Sequence, residues 1–314
     1  MEQAAFRPTD QEITMRVAIS GSSGLIGTAL SRALLERGDE VVRLVRRPVT
    51  APNEISWDPA RGELDHAALH GVSAVVNLAG AGIGDKRWTS AYKRLLVDSR
   101  VHSTATIARA IEHLDGPIRL VNGSAMGYYG DRGEEIVDED STPGEGFLVD
   151  LVVAWESATA PATAAGASVA IARTGLIVSP AGGLMARVLP LARLGLAGPL
   201  GNGRQWWSWI TLTDEVRALM HLIDHPEITG PVNLSVAADA AVRQKDAMHA
   251  LGEQLHRPSF LPAPAPALRV VLGEMAGDAL ASTRMAPKVL QHSGFAWTHT
   301  DISAAMRYAA QGSH

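Results

Sequence analysis

The 314-residue chain contains no cysteine, which excludes disulfides, thiolate metal sites and a cysteine nucleophile from its chemistry. Tyrosine and phenylalanine are scarce, four of each, so any phenol-dependent chemistry can be tested residue by residue. There is no basic excess: 28 Lys and Arg stand against 33 Asp and Glu, a net charge of -5 at pH 7. That balance, with the arginines scattered along the chain, argues against a nucleic-acid partner. No apolar run approaches the roughly 18 residues of a membrane span. The opening MEQAAFRPTDQEIT also lacks the charged-then-apolar order of a signal sequence. A cytoplasmic protein with no membrane attachment is the expectation. The eleven histidines form no metal signature. His66/His70 and His221/His225 are spaced four apart, but neither pair has an obvious third ligand, and both read as solvated helix positions with no metal expected.

What is present points to an α/β architecture. At 46% hydrophobic residues, the chain can bury a large core. Strands are predicted at 16–20, 40–45, 74–78, 118–123 and 168–174, alternating with helices at 25–37, 90–113 and 147–165. Such alternation predicts a Rossmann-type doubly wound parallel sheet. The pattern divides the chain into a flexible leader (1–14), a dinucleotide-binding domain (15–180, with 205–235 returning to it) and a smaller substrate lobe with a C-terminal module (181–314). Pro and Gly are frequent in that last part, and PAPAPALRVV at 262–271 reads as a rigid connector.

The densest signal is RVAISGSSGLIG, in which an apolar strand runs into Gly21, Gly24 and Gly27. The three glycines have different tasks: a tight turn at Gly21, close approach of backbone to a pyrophosphate at Gly24, and helix-on-sheet closure at Gly27. The following helix would direct its N-terminal N–H groups at the phosphates, making Ser22, Ser23, Leu25 and Ile26 part of the cradle. NAD-specific sites place an acid at the end of the second strand, where this chain has Arg46 and Arg47. Two guanidiniums suit a ribose 2′-phosphate, so NADP(H) is expected in preference to NAD(H).

Further motifs carry a family resemblance. Asn77-Leu78-Ala79-Gly80, Ser124 with Tyr129-Gly130, and Arg173-Thr174-Gly175 resemble the extended short-chain dehydrogenase/reductase superfamily. Trp57-Asp58-Pro59, Arg87-Trp88, Asp98-Ser99-Arg100, Trp155-Glu156, Ser208-Trp209-Ile210, Gly273-Glu274-Met275 and Gly294-Phe295 narrow the likeness. They resemble its atypical "epimerase family" group (NAD-dependent epimerase/dehydratase-like), with its C-terminal module, from Met15 to about Tyr308. The resemblance implies cofactor contacts at Leu78, Ala79, Gly80 and Arg100, and a substrate-oxygen role for Ser124. Arg100 stands where the superfamily's catalytic asparagine is expected.

The superfamily's Tyr-x-x-x-Lys pair is missing. Four residues beyond Tyr92, Tyr128, Tyr129 and Tyr308 stand Leu96, Arg132, Gly133 and Gly312. Aligned on Glu156, the vacated positions are Leu148 and Val152. Tyr128 and Tyr129 are the candidate replacement proton donors, beside Ser124 and Arg100. Arg204, Trp206 and Trp207 are candidates for contacting an anionic or flat substrate. Two functions compete. One is an NADP(H)-dependent oxidoreductase or epimerase-like enzyme acting on a small carbonyl, alcohol or nucleotide-sugar-like substrate. The other is an NADP(H)-binding sensor or partner-binding module with little or no catalysis. A homodimer is compatible with either, and no residue demands one.

Overall fold

The computed structural model describes residues 14–311 other than 115 and 117. Almost all of the expected leader therefore lies outside the described residues. Four parallel pairings start the sheet: β1 (Arg16–Ser20) lies between β2 (Glu40–Val45) and β4 (Ala74–Asn77), with β3 (Glu54–Ser56) beyond β2 and β5 (Arg119–Ala125) beyond β4. Strands Ser168–Thr174 and Gly230–Leu234 complete a seven-stranded, all-parallel sheet on the β5 side. Because the chain moves outward to β3 and then crosses back to β4, β1 and β4 mark the point where strand order reverses. Ligands of open α/β sheets bind in the crevice that opens at the carboxyl ends of such strands.

The strands read as apolar runs because both faces are covered. One face packs Val17, Ile19, Val76 and Val121 against α1 (Leu25–Arg37) and helix Leu212–Asp224. The other packs Ala18, Val75 and Leu120 against Ile107 and Ile111 of α2 (Ser90–Glu112). The predicted helix at 147–165 is two helices, α3 (Phe147–Ser157) and the short Ala160–Ala164. Pro161 explains the break, since its ring would clash with the carbonyl of Ser157 and it has no N–H to donate. Strand β4 ends one residue early, at Asn77, and β5 runs on to Ala125.

Two expectations from the sequence need correction. The stretch at 262–271 is not a rigid connector: Pro264 caps a helix, Ala265–Leu272, whose second residue is Pro266. Proline is tolerated in a first turn, where the N–H has no helical partner in any case. His221 is not a solvated helix position either. Its Nε2 lies 2.9 Å from Ser293 Oγ and its ring packs on Phe295, and burial lowers its pKa, followed by the influence of His225. No helix among the described residues is long and apolar enough to cross a membrane.

Candidate active site

The first side of the crevice is built by the glycine loop. Gly21 has φ +67°, and a Cβ there would lie 2.6 Å from Leu78 O, so the turn and the close passage of the chain leaving β4 both require glycine. A Cβ on Gly27 would lie 2.2 Å from Gly21 O, so this glycine seats the helix against the loop. Gly24 differs: its nearest protein atom would be Gly21 O at 3.3 Å, and it caps α1 with no side-chain hydrogen bond. The helix N-terminus thus offers unoccupied N–H groups beside a position where a Cβ would press only moderately on one backbone oxygen. That is the geometry a pyrophosphate uses.

The end of β2 is more complex than its sequence. Arg47 forms a bidentate pair with Glu54 (2.7 and 2.9 Å), and Arg43 adds a bond of 2.8 Å to the same carboxylate. Hydrogen bonding from Arg47, then from the Thr50 N–H, holds Glu54 at about 2. An acid is therefore present near this site, supplied by β3 rather than β2, but it is already paired. Arg46 is exposed and bonds no described residue. Three arginines against one glutamate leave an excess of two positive charges, and Arg46 is the guanidinium with its donors free.

Behind the loop, a buried polar ladder fixes the carboxyl ends of three strands. Ser20 Oγ donates to Asn77 Oδ1 (2.6 Å), and Asn77 Nδ2 donates to both Asn122 Oδ1 and Thr104 Oγ1 (2.8 Å each). Trp155 Nε1 donates to Thr104 (3.0 Å), tying α3 to α2. These bonds join β1, β4, β5 and both helices at the height where the crevice opens, and each satisfied group avoids the cost of a buried orphan.

A cavity of about 370 Å³ lies at the carboxyl end of β5, lined by Ser124, Ala125 and, from the neighbouring strand, Thr174. Leu148 and Val152 line it, at the positions that the missing Tyr-x-x-x-Lys pair would take, and Gly127 faces both across the gap. Ser124 and Arg100 line it too. Arg100 is buried, donates to Leu96 O at 3.0 Å and lies under Gly80, whose added Cβ would come within 3.2 Å of the guanidinium carbon. No described carboxylate pairs with it, and burial lowers its pKa to about 10, so it stays charged at neutral pH. An unpaired buried guanidinium is costly unless an anion or dipole meets it.

Ser124 is held from behind. Its Oγ donates to Glu156 Oε1 (2.6 Å), and Glu156 is clamped by Arg173 through two bonds of 2.8 Å. The serine proton is thereby committed, and the oxygen lone pairs remain for a donor in the cavity. The sequence did not mark Glu156 or Arg173 as site residues, although both fall within the quoted motifs.

The structure separates the remaining candidates. Tyr129 is fully buried; its hydroxyl donates to Asn233 Oδ1 (2.7 Å) and accepts from Arg173 Nη1 (3.0 Å). Burial pushes its pKa up to about 12, and it does not line the cavity. A proton-donor role for Tyr129 is therefore withdrawn, because its phenol is used in packing. Tyr128 is also absent from the cavity wall; the Arg173 guanidinium covers its ring at 3.4 Å. Trp206 and Trp207 do line the cavity, whereas Arg204 does not. Stacking on a flat substrate is closed to Trp206, since Arg243 (3.9 Å) and Arg284 (4.2 Å) lie over its ring and its N–H donates to Glu134. Asp278, which the sequence did not single out, joins the wall from helix Met275–Leu280. Its signal is invisible without the fold, because it lies 154 positions after Ser124 and just outside the Gly273-Glu274-Met275 motif.

Sheet topology, glycine loop and cavity together define a dinucleotide-fold protein of the short-chain dehydrogenase/reductase type. Residues 17–235 match the model of the NAD dependent epimerase/dehydratase family, and 263–309 match a domain of unknown function (DUF1731). The chain belongs to that epimerase/dehydratase family. It is 45% identical over 294 residues to the epimerase family protein MT2273 of Mycobacterium tuberculosis, covering 93% of this chain and 97% of that one. Among solved structures, human epimerase family protein SDR39U1 (isoform 2) with NADPH superposes with a TM-score of 0.85 at 30% identity, covering 95% of this chain and 99% of that one. The nucleoside-diphosphate sugar epimerase of Corynebacterium glutamicum gives a TM-score of 0.76 at 33% identity, over 95% of this chain and 58% of that one.

Proposed function

We propose that the protein is a cytoplasmic NADP(H)-dependent oxidoreductase whose substrate is a small carbonyl compound or the corresponding alcohol. The observation that carries this reading is a glycine cradle packed on the segment leaving β4, whose Gly80 lies against Arg100, with Arg100 and Ser124 both in the walls of the cavity. The fit of the cradle to a pyrophosphate rests on Gly24, where one backbone oxygen is the sole protein atom a Cβ would approach within 4 Å and the helix N-terminus begins. The choice of NADP(H) over NAD(H) rests on Arg46, with support from the NADPH held by the human relative.

A bound dinucleotide would supply or take up a hydride at the reacting carbon. The chain's own residues do the rest. The N-terminus of α1 and Gly21–Gly27 hold the phosphates, and Arg46 pairs with the 2′-phosphate. Arg100 provides a fixed positive charge beside the oxygen on which negative charge develops, an effect that is largest where water is excluded. Ser124, whose proton Glu156 holds, accepts through its lone pairs from the hydroxyl of the alcohol form and so positions the oxygen in that state. Titration with NADPH and NADH, followed by NADPH consumption against a panel of carbonyl compounds, tests the reading. Equal affinity for the two cofactors would remove the 2′-phosphate argument, and no turnover across the panel would remove the enzyme.

A second reading, a cofactor-binding sensor without catalysis, is favoured by one observation: Leu148 and Val152 give the cavity apolar side chains where the superfamily's proton relay stands. In that case NADPH binds and nothing is consumed.

A further inference from the structure

The proton for this chemistry needs a source, and the cavity wall restricts the choices. Its hydrogen-bonding side chains are largely committed: Ser124 to Glu156, Thr174 to Glu215, Thr283 to the Gly130 carbonyl and the Trp206 N–H to Glu134. Two ionisable side chains line the cavity, Arg100 and Asp278. Arg100 keeps its proton at neutral pH. Asp278 bonds no other described residue through its carboxyl.

Asp278 is nonetheless held in place. Its helix, Met275–Leu280, inserts Met275 into the cluster formed by Trp88, Tyr92 and Leu151, and Ala276 is buried. Glu274 at the helix start pairs with Lys93 of α2 at 2.7 Å. Asp278 itself is exposed at the rim of the cavity.

We propose that Asp278 is the catalytic proton donor and acceptor of this site, and that its ligand is a compact, mostly apolar carbonyl or alcohol rather than a nucleotide sugar. The proposal rests on the oxidoreductase reading. The ligand class follows from the walls. Ile83, Leu148, Leu176, Leu184 and Leu200 face a space of about 370 Å³, which gives sugar hydroxyls few partners and a diphosphate one cation. In the reducing direction, Asp278 gives up its carboxyl proton to the substrate oxygen as the carbonyl π bond breaks. A hydride from the reduced dinucleotide forms the new C–H bond. The products are the alcohol, the oxidised dinucleotide and the Asp278 carboxylate, which solvent reprotonates.

The protein atoms crowding its carboxyl at the cavity rim desolvate it in part and raise the Asp278 pKa, although the residue is exposed, extending the pH range in which it carries a proton. The charged groups on the surrounding elements are Arg100 across the cavity, Lys93 with Glu274, and Arg87 beside Gly273. Around Trp206 lie Arg243, Arg284 and Glu134. None of them bonds Asp278.

The test uses the full chain and two probes, cyclohexanone and UDP-glucose, followed by calorimetry and by the fluorescence of the cavity tryptophans. Cyclohexanone affinity should fall about fivefold or more from pH 5 to pH 8, as Asp278 loses the proton it donates to the probe. In Asp278→Asn, whose amide donates at every pH, the profile should be flat. UDP-glucose should bind more weakly than cyclohexanone. For a carbonyl that the wild type reduces, Asp278→Asn should lower kcat about a hundredfold or more with KM little changed. Near-ultraviolet circular dichroism checks that the variant keeps its fold, and Asp278→Glu should restore part of the rate. No cyclohexanone binding, a flat wild-type pH profile, preferential UDP-glucose binding or wild-type turnover by Asp278→Asn would each overturn the proposal. Failure of NADPH to bind would instead overturn the oxidoreductase reading, and the cyclohexanone pH profile would still decide the role of Asp278.

Discussion

Glu215 supplies a quantitative test of the buried electrostatics. It is fully buried in the first turn of helix Leu212–Asp224, accepts one bond from Thr174 Oγ1 (2.8 Å), and its second carboxyl oxygen has no partner. Burial raises its pKa from 4.5 to about 8. Between those values the folded protein holds a proton that the unfolded chain has released. Stability contributed by this proton is complete below pH 4.5 and is lost as pH rises through about 8. At about 1.4 kcal/mol per unit, the cost is about 3 kcal/mol at pH 7 and approaches about 5 kcal/mol above pH 8. Glu215→Gln keeps the shape and the Thr174 bond but cannot ionise. Urea unfolding of both proteins from pH 4 to pH 8.5 should give nearly equal free energies at the acid end, with the variant more stable by about 3 kcal/mol at pH 7. Parallel stability profiles would refute the reasoning, because they would mean that Glu215 is ionised or solvated in the native state.

Further outcomes follow from single contacts. Arg46→Ala should weaken NADPH by about tenfold or more while leaving NADH unchanged, measured by fluorescence titration; Arg47→Ala should cost stability through Glu54 and less selectivity. Gly24→Ala, whose Cβ would press on Gly21 O at 3.3 Å, should fold with a slightly lowered melting temperature and lose dinucleotide affinity, whereas Gly27→Ala, whose Cβ would meet Gly21 O at 2.2 Å, should fail to fold or melt far below the wild type. Tyr129→Phe should lower stability by about 1–3 kcal/mol through the bonds lost to Asn233 and Arg173, with kcat unchanged; a large loss of kcat with normal stability would return Tyr129 to the mechanism. Ser124→Ala should reduce turnover while the Glu156–Arg173 clamp stays intact, since Arg173 alone supplies both of its bonds.

The sheet was legible because its information is local. β1, β2 and α1 run over the residues that periodicity and the glycines indicate, since an apolar strand, a positive-φ turn and an amphipathic helix follow one another within 22 positions, Arg16–Arg37. The absence of the usual tyrosine and lysine was equally readable, and Leu148 and Val152 do face the cavity. What stayed hidden depends on distant residues meeting. Trp206 looked like a stacking surface until Arg243 and Arg284 covered it. Tyr128 and Tyr129 are adjacent to Ser124 in sequence, yet the chain turns through Met126–Tyr128 and carries both rings behind the wall toward Arg173. Arg47 looked free because its acid comes from another strand.

The two family models divide the chain at about residue 250, but the polypeptide does not. Arg284–Met285 pairs as a strand with Ile136–Val137, Glu139 accepts the backbone N–H groups of Asn233, Lys288 and Val289, and Ser282 donates to the Gly133 carbonyl. One carboxylate thus bridges the last sheet strand and the C-terminal module. A protein cut after the first model would lose the cover over Tyr129 and Val137 and leave the buried Glu139 with one of its three backbone donors. The C-terminal residues act as the closing stitch of the fold that the first family model opens.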